Sequence, residues 1–232
     1  MKLHRFYVAD KFDLKYDFWI HDSALVHQMV RVLRLRKGEN VVLFDGRSNE
    51  RLYKIKDLKP LEIHVELVTE FQPKNPKRDV FLFWSLLKKD NSDWVIQKCT
   101  ELGVSHFIPI LTERTEKTGF DIERATKITI EAAEQCGRSD IPSIHEPMRI
   151  SHIFSRQIAK NLQFVVCEQI SEEKELKLDI SKPIGLLVGP EGGWSDSEKQ
   201  LFKDQNIQHL NLHDFTLRAE TAAIAATIKL VQ

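Results

Sequence analysis

The chain has 232 residues, with 34 Lys and Arg balanced by 34 Asp and Glu, and 42% of its residues are hydrophobic. A chain of this length buries roughly 70% of its unfolded surface, enough for one large domain or for a small and a medium one, and two is the organisation its sequence favours. Net neutrality excludes a broadly sticky polycation, so any binding of nucleic acid must come from local basic patches.

Residues 1 to about 70 alternate short apolar runs, such as Val41 to Phe44 and Ile63 to Val68, with Gly and Asp turns, which predicts a small β-rich unit. Arg31, Arg34, Arg36 and Lys37 form a short basic cluster there, with Arg5 expected near it. Cations grouped in this way can hold phosphates and set register, although a solvated face is the more ordinary meaning of such a cluster. Phe71 to Arg78 carries two prolines and three cations and reads as a linker, which puts the domains at 1–72 and 73–232.

Beyond it, Val80 to Leu87, Phe107 to Leu111, Gln163 to Cys167, Ile184 to Val188 and His209 to Leu212 read as strands separated by helical stretches, an α/β arrangement. Asn91 or Ser92 can cap a helix with Val95, Cys99 and Leu102 on one face, ended by Gly103 where a left-handed residue is wanted. A second helix is expected from about Ile122 to Cys136, with Ile122, Ala125, Ile128, Ala132 and Cys136 at helical spacing. Glu134, Gln135 and Arg138 hang from its end, where a cation is electrostatically favoured and can serve simply as a cap.

The last fifty residues carry most of the information. Ile184 to Val188 is a continuous apolar run, suited to a parallel strand covered on both faces. It enters Gly189-Pro190-Glu191-Gly192-Gly193, where proline fixes one φ and the glycines open backbone angles and let a ligand approach the main chain. Ser195-Asp196-Ser197-Glu198 has the spacing of a capping box, so a helix should start at Asp196. Strand, glycine loop and helix in this order commonly bind a nucleotide-like ligand at the carboxyl end of a sheet. The loop is neither GxGxxG nor a P-loop, so pyrophosphate is not the obvious ligand, and a plain tight turn remains an even alternative. Downstream, Thr216 is placed to cap an alanine-rich helix over Leu217 to Val231, with Arg218 and Glu220 at its start. A charge pair there implies a ligand or subunit contact, or else a solvated first turn.

Cys99, Cys136 and Cys167 lie singly, without CxxC or a disulfide framework, and read as buried thiols in a reducing cytosol. The nine histidines lack any ligand spacing, so no metal is expected. The opening Met1 to Ile20 has no apolar core of signal-peptide length, and nowhere do eighteen apolar residues run together, so the expected location is cytoplasmic.

Gly189 to Gly193 and Leu217-Arg218-Ala219-Glu220-Thr221-Ala222, with Gln97 to Val104, Glu131 to Arg138, and an opening domain carrying Arg5 to Val8, His27, Val32 to Arg34, Gly38 and Phe44 to Gly46, together resemble the ribosomal RNA small subunit methyltransferase E family across nearly the whole chain. The resemblance implies a SPOUT catalytic domain with a trefoil knot, preceded by a PUA-like RNA-binding module. It implies S-adenosylmethionine as cofactor, held by Leu187, Gly189, Pro190, Glu191, Gly192, Gly193, Leu212, Leu217, Arg218, Glu220 and Thr221. The chain departs from that pattern at His213 and Phe215, where the family commonly has Gly and Arg, which puts the adenine pocket in question.

The implied reaction is methylation of N3 of a uridine in 16S ribosomal RNA within the 30S subunit, by a homodimer whose sites are completed across the subunit interface. The uridine imide proton is held roughly two units above neutral pH, so its removal costs about 3 kcal/mol. The resemblance places Arg138 against the developing charge and Glu134 as proton acceptor. RNA is expected to run over Arg5, Arg31, Arg34, Arg36 and Lys37, and on over Lys88, Lys89 and Arg114. Two other readings stand beside this one: a noncatalytic RNA-binding protein that has lost the cofactor, and an unrelated nucleotide-binding α/β enzyme.

Overall fold

The computed structural model describes residues 3–8, 16–47, 49–117, 119–169 and 175–231. They form two compact units, Met1–Asn75 with Ala133–Ile141, and Pro76–Ala132 with Pro142–Gln232. The short run 133–141 thus belongs with the first unit, although it follows the second-unit sequence in the chain.

The first unit contains β1 (His4–Tyr7), β2 (Asp17–Ile20), α1 (Ser23–His27), β3 (Asn40–Phe44), β4 (Glu50–Lys59) and β5 (Glu62–Phe71). Its described strands pair in the order β1-β3-β4-β5-β2, with β1 parallel to β3 and the other pairs antiparallel. Strand period places Val41 and Leu43, Tyr53 and Ile55, and Ile63 and Val65 on one face, and all six are fully buried with Phe6, Ile20 and Met29. Asp22 starts α1 by accepting the Leu25 N–H at 2.9 Å. The β-rich reading of this segment holds.

In the second unit the described elements are β6 (Val80–Ser85), α2 (Lys89–Leu102), β7 (His106–Leu111), α3 (Ile122–Cys136, whose last turn from Ala133 belongs to the first unit), β8 (Ser143–Ile144), β9 (Met148–Arg149), β10 (Gln163–Cys167), β11 (Ile184–Val188), α4 (Asp196–Asp204), β12 (Gln208–Leu210) and α5 (Ala219–Val231). The sheet is parallel throughout, ordered β12-β10-β11-β6-β7-β8, with β9 also on β7. Its unbroken apolar runs are explained by cover on both faces. Val80, Leu82, Trp84, Ile184, Leu186 and Val188 face one core with Val95 and Cys99 of α2 and Ala223 and Leu230 of α5. Phe81, Phe83, Ile108, Ile110 and Leu187 face the other, with Trp194 and Phe202.

Helix ends show where local reading succeeds. Gly103 ends α2 at φ 104 and Gly137 follows α3 at φ 87, both left-handed as a C-terminal stop requires. Ser195 opens α4 with a full capping box: its hydroxyl accepts the Glu198 N–H at 3.2 Å, and the Glu198 carboxylate accepts the Ser195 N–H at 2.8 Å. Two starts differ from expectation. α2 begins at Lys89, ahead of Asn91 and Ser92, because Ser92 is buried and gives its hydroxyl to Leu87 O at 3.4 Å. α5 begins at Ala219, with Arg218 O taking the first helical bond from Ala222 N at 2.8 Å, while the Thr216 hydroxyl goes elsewhere.

Candidate active site

Chain passing out of the carboxyl ends of β10, β11 and β12 encloses a cavity of about 350 Å³ in the second unit, the end of a parallel sheet where backbone direction and loop freedom place ligands. Its most buried lining residues are apolar: Val188, Leu210 and Ala219 are 2%, 3% and 6% exposed. Its rim is polar, with Glu168, Gln169, Lys199, Asn211 and Thr216. An apolar lining that takes a planar ring and a rim that takes hydroxyl, amino and carboxylate groups fit an aminoacyl nucleoside.

The glycine loop forms one wall. Gly193 sits at φ +69, a conformation that a side chain strains, with nothing within 4 Å of an added methyl. Gly189 is small for a different reason than free backbone angles: a methyl there would stand 2.9 Å from Trp194 Cε2. The Trp194 indole meets Phe202 edge-on at 4.9 Å and donates its Nε1–H to Cys167 O at 3.0 Å, so it closes the loop against the end of β10. Arg114 holds the loop from the other side, donating from Nη1 to Gly192 O at 2.7 Å. Glu198 accepts the Glu113 N–H at 2.9 Å as well as the capping bond, so one buried carboxylate ties the β7 loop to the start of α4.

Of the residues expected to hold a cofactor, Gly189, Pro190, Glu191, Gly192, Gly193, Leu212 and Leu217 line this cavity. Leu187 is fully buried in the core facing Trp194, one layer behind it. Arg218 just before α5, and Glu220 and Thr221 in its first turn, do not line the cavity; Glu220 is 7% exposed and its Oε2 has no hydrogen-bond partner among the described residues. His213 and Phe215 stand at the cavity without filling it. The sequence reading missed Trp194, Glu168, Gln169 and Lys199. Glu168 and Gln169 directly follow an apolar strand, and the rule that ligands lie past carboxyl strand ends was the signal for them. Glu168 reaches Lys199 Nζ at 2.7 Å.

Cys167 lines the same cavity, and burial pushes its thiol pKa up to about 12. Cys99 is buried with its pKa likewise raised to about 12, whereas Cys167 is only partly buried and Cys136 is exposed, which corrects the expectation of three buried thiols.

The two proposed catalytic residues belong to the first unit. Arg138 is 6% exposed and grips Asp140 from Nε at 2.9 Å and Nη2 at 2.5 Å. Glu134 accepts the Tyr7 N–H at 2.8 Å. Arg5 joins the same polar cluster instead of standing out in water: it pairs with Glu50, donates to Arg138 O at 3.1 Å and has a side chain only 14% exposed. Glu50 also accepts from the Ser139 hydroxyl. Arg31, Arg34, Arg36 and Lys37 are exposed, with Arg34 at φ 54, and so are Lys88, Lys89 and Arg114 in the second unit.

Comparison with known proteins gives this arrangement its class. Residues 73–231 match the RNA methyltransferase domain and residues 24–68 the RNA methyltransferase PUA domain. These matches define an RNA methyltransferase that carries its own PUA domain. The ribosomal RNA small subunit methyltransferase E of Rickettsia conorii is 31% identical over 97% of this chain and 94% of its own length, and that of Aquifex aeolicus is 30% identical over 84% and 86%. The crystal structure of the corresponding enzyme from Neisseria gonorrhoeae bound to S-adenosyl methionine superposes with a TM-score of 0.86 at 26% identity, covering 99% of this chain and 97% of that one. This chain belongs to the ribosomal RNA small subunit methyltransferase E family.

Proposed function

We propose that this protein transfers the methyl group of S-adenosylmethionine to N3 of a uridine in 16S ribosomal RNA, acting as a homodimer on RNA within the 30S subunit. The carrying observation is the cavity past β10, β11 and β12, with apolar buried lining, polar rim and glycine wall, in a chain whose relatives include a structure bound to that cofactor. The cofactor's sulfonium supplies an electrophilic methyl group, so no metal is required. The protein's tasks are alignment and removal of the imide proton. Main-chain groups of 189–193 and of Leu212 and Leu217 hold the donor, and Trp194 and Arg114 fix the loop.

Arg138 is assigned to the uracil oxygens, where it offers directed hydrogen bonds more than net charge because Asp140 neutralises it and sets its plane. Glu134 is assigned to the proton. Arg31, Arg34, Arg36, Lys37, Lys88, Lys89 and Arg114 are exposed cations suited to phosphates, whereas Arg5 is committed to Glu50.

Calorimetry with S-adenosylmethionine, followed by a labelled-methyl assay on 30S subunits from a strain lacking the methyltransferase with the modified base mapped, tests the proposal. Tight binding and label at N3 of one uridine are expected. No cofactor binding would leave the noncatalytic RNA-binding reading, and preference for another nucleotide would leave the unrelated-enzyme reading.

A further inference from the structure

The lip of the cavity carries an aromatic pair that holding the cofactor does not require. His213 and Phe215 stack with ring centroids 5.0 Å apart and planes 25° apart, and the Phe215 N–H donates to His213 Nδ1 at 3.1 Å. Their loop is fastened from outside as well. Gln169 Nε2 donates to Asp214 O at 2.9 Å, and the Thr216 hydroxyl donates to Gln169 Oε1 at 3.3 Å. Phe215 is nevertheless 75% exposed, in contrast to the buried lining of the cavity it borders.

A single exposed phenylalanine is ordinary on a protein surface. Here polar bonds on both sides hold an apolar ring out in water at the mouth of a ligand site, so it is presented and not merely left uncovered. A ring fixed before binding suits a flat partner that would otherwise lose its stacking. A nucleobase drawn out of an RNA strand is such a partner, and aromatic side chains replace the stack it gives up.

We infer that the His213–Phe215 pair is the stacking platform for the base to be methylated, an inference that rests on the methyl-transfer reading above. The cofactor's adenine is the competing occupant. It belongs deeper in the cavity, beside the glycine loop, since a ring placed against Phe215, itself 75% exposed, would keep one side in water. Arg114, which lines the same cavity and is anchored on Gly192 O, is available to a phosphate of the same strand.

The test uses full-length Phe215→Ala and Phe215→Tyr variants, calorimetry with S-adenosylmethionine, and steady-state methyl transfer to unmethylated 30S subunits. The expected result is a KM for subunits raised roughly 5- to 100-fold in Phe215→Ala, the range that loss of one stacked base gives. Its cofactor Kd should stay within about twofold of the parent, and Phe215→Tyr should restore the parental KM. Parental KM in Phe215→Ala overturns the inference. So does a loss of cofactor affinity as large as the loss of transfer, which would put the ring on adenine, and so does failure of tyrosine to restore KM. A parent protein that binds no cofactor removes the methyl-transfer reading together with this one, and is distinguished because it shows before any variant is made.

Discussion

Gly189→Ala probes the wall of the cavity most directly. The added methyl would sit 2.9 Å from Trp194 Cε2 and 3.2 Å from Cδ2 and Cζ2. Carbon atoms in contact prefer about 3.5 Å or more, so the indole must retreat by roughly 0.6 Å. It has little room, being 4% exposed and packed edge-on against Phe202. Crowding of this kind costs about 1–3 kcal/mol, and misdirecting the buried Nε1–H from Cys167 O adds about 1–3 kcal/mol. A combined loss of about 3 kcal/mol lowers Tm by roughly 6–12 °C in a chain of this size. Because Trp194 lines the cavity, cofactor affinity should fall about tenfold or more. Differential scanning calorimetry and titration with S-adenosylmethionine measure both effects. Gly193→Ala is the control: it meets no atom within 4 Å and suffers only its positive φ, about 1–2 kcal/mol. If Gly189→Ala melts and binds like the parent, or is the milder of the two substitutions, Trp194 is not the wall described.

Arg138→Ala leaves Asp140 without its guanidinium partner, so thermal unfolding should show a loss of about 3 kcal/mol and methyl transfer should drop, while cofactor affinity measured by titration stays parental. Ser195→Ala removes one half of a capping box and should cost about 1 kcal/mol in urea unfolding. His106 and His145 touch at 3.2 Å; burial holds both below the ordinary histidine value, and His145 lowers His106 further while Asp79 opposes. The unfolded chain therefore binds protons more readily than the fold, so stability is full above about pH 6.5 and is lost as the pH falls below it. Tm should decline from pH 7.5 to pH 5, and His106→Phe should flatten that decline. Maleimide applied to the native protein should modify Cys136 and spare Cys99, as read by peptide mass.

What the sequence disclosed follows the range of the interactions concerned. Ile184 to Val188 and Gln163 to Cys167 were legible because a strand covered on both faces has no polar positions to blur it. The start of α4 was legible because Ser195 and Glu198 satisfy each other three residues apart. Thr216 misled because its hydroxyl is claimed by Gln169, 47 positions away. Arg5 looked like a free cation because Glu50 lies 45 positions on, and the buried pairing of Arg138 with Asp140, although local, depends on burial that helical spacing does not reveal. The smallness of Gly189 was visible, but its reason, an indole folding back from Trp194, was not.

Cys167 borders a cavity assigned to one of the cell's strongest alkylating reagents. A thiolate in that position would compete with RNA for the reactive carbon and inactivate the protein by its own chemistry. Desolvation pushes the Cys167 thiol up, to about 12, so the neutral S–H form, a far weaker nucleophile than the anion, is the one that meets the reagent at neutral pH.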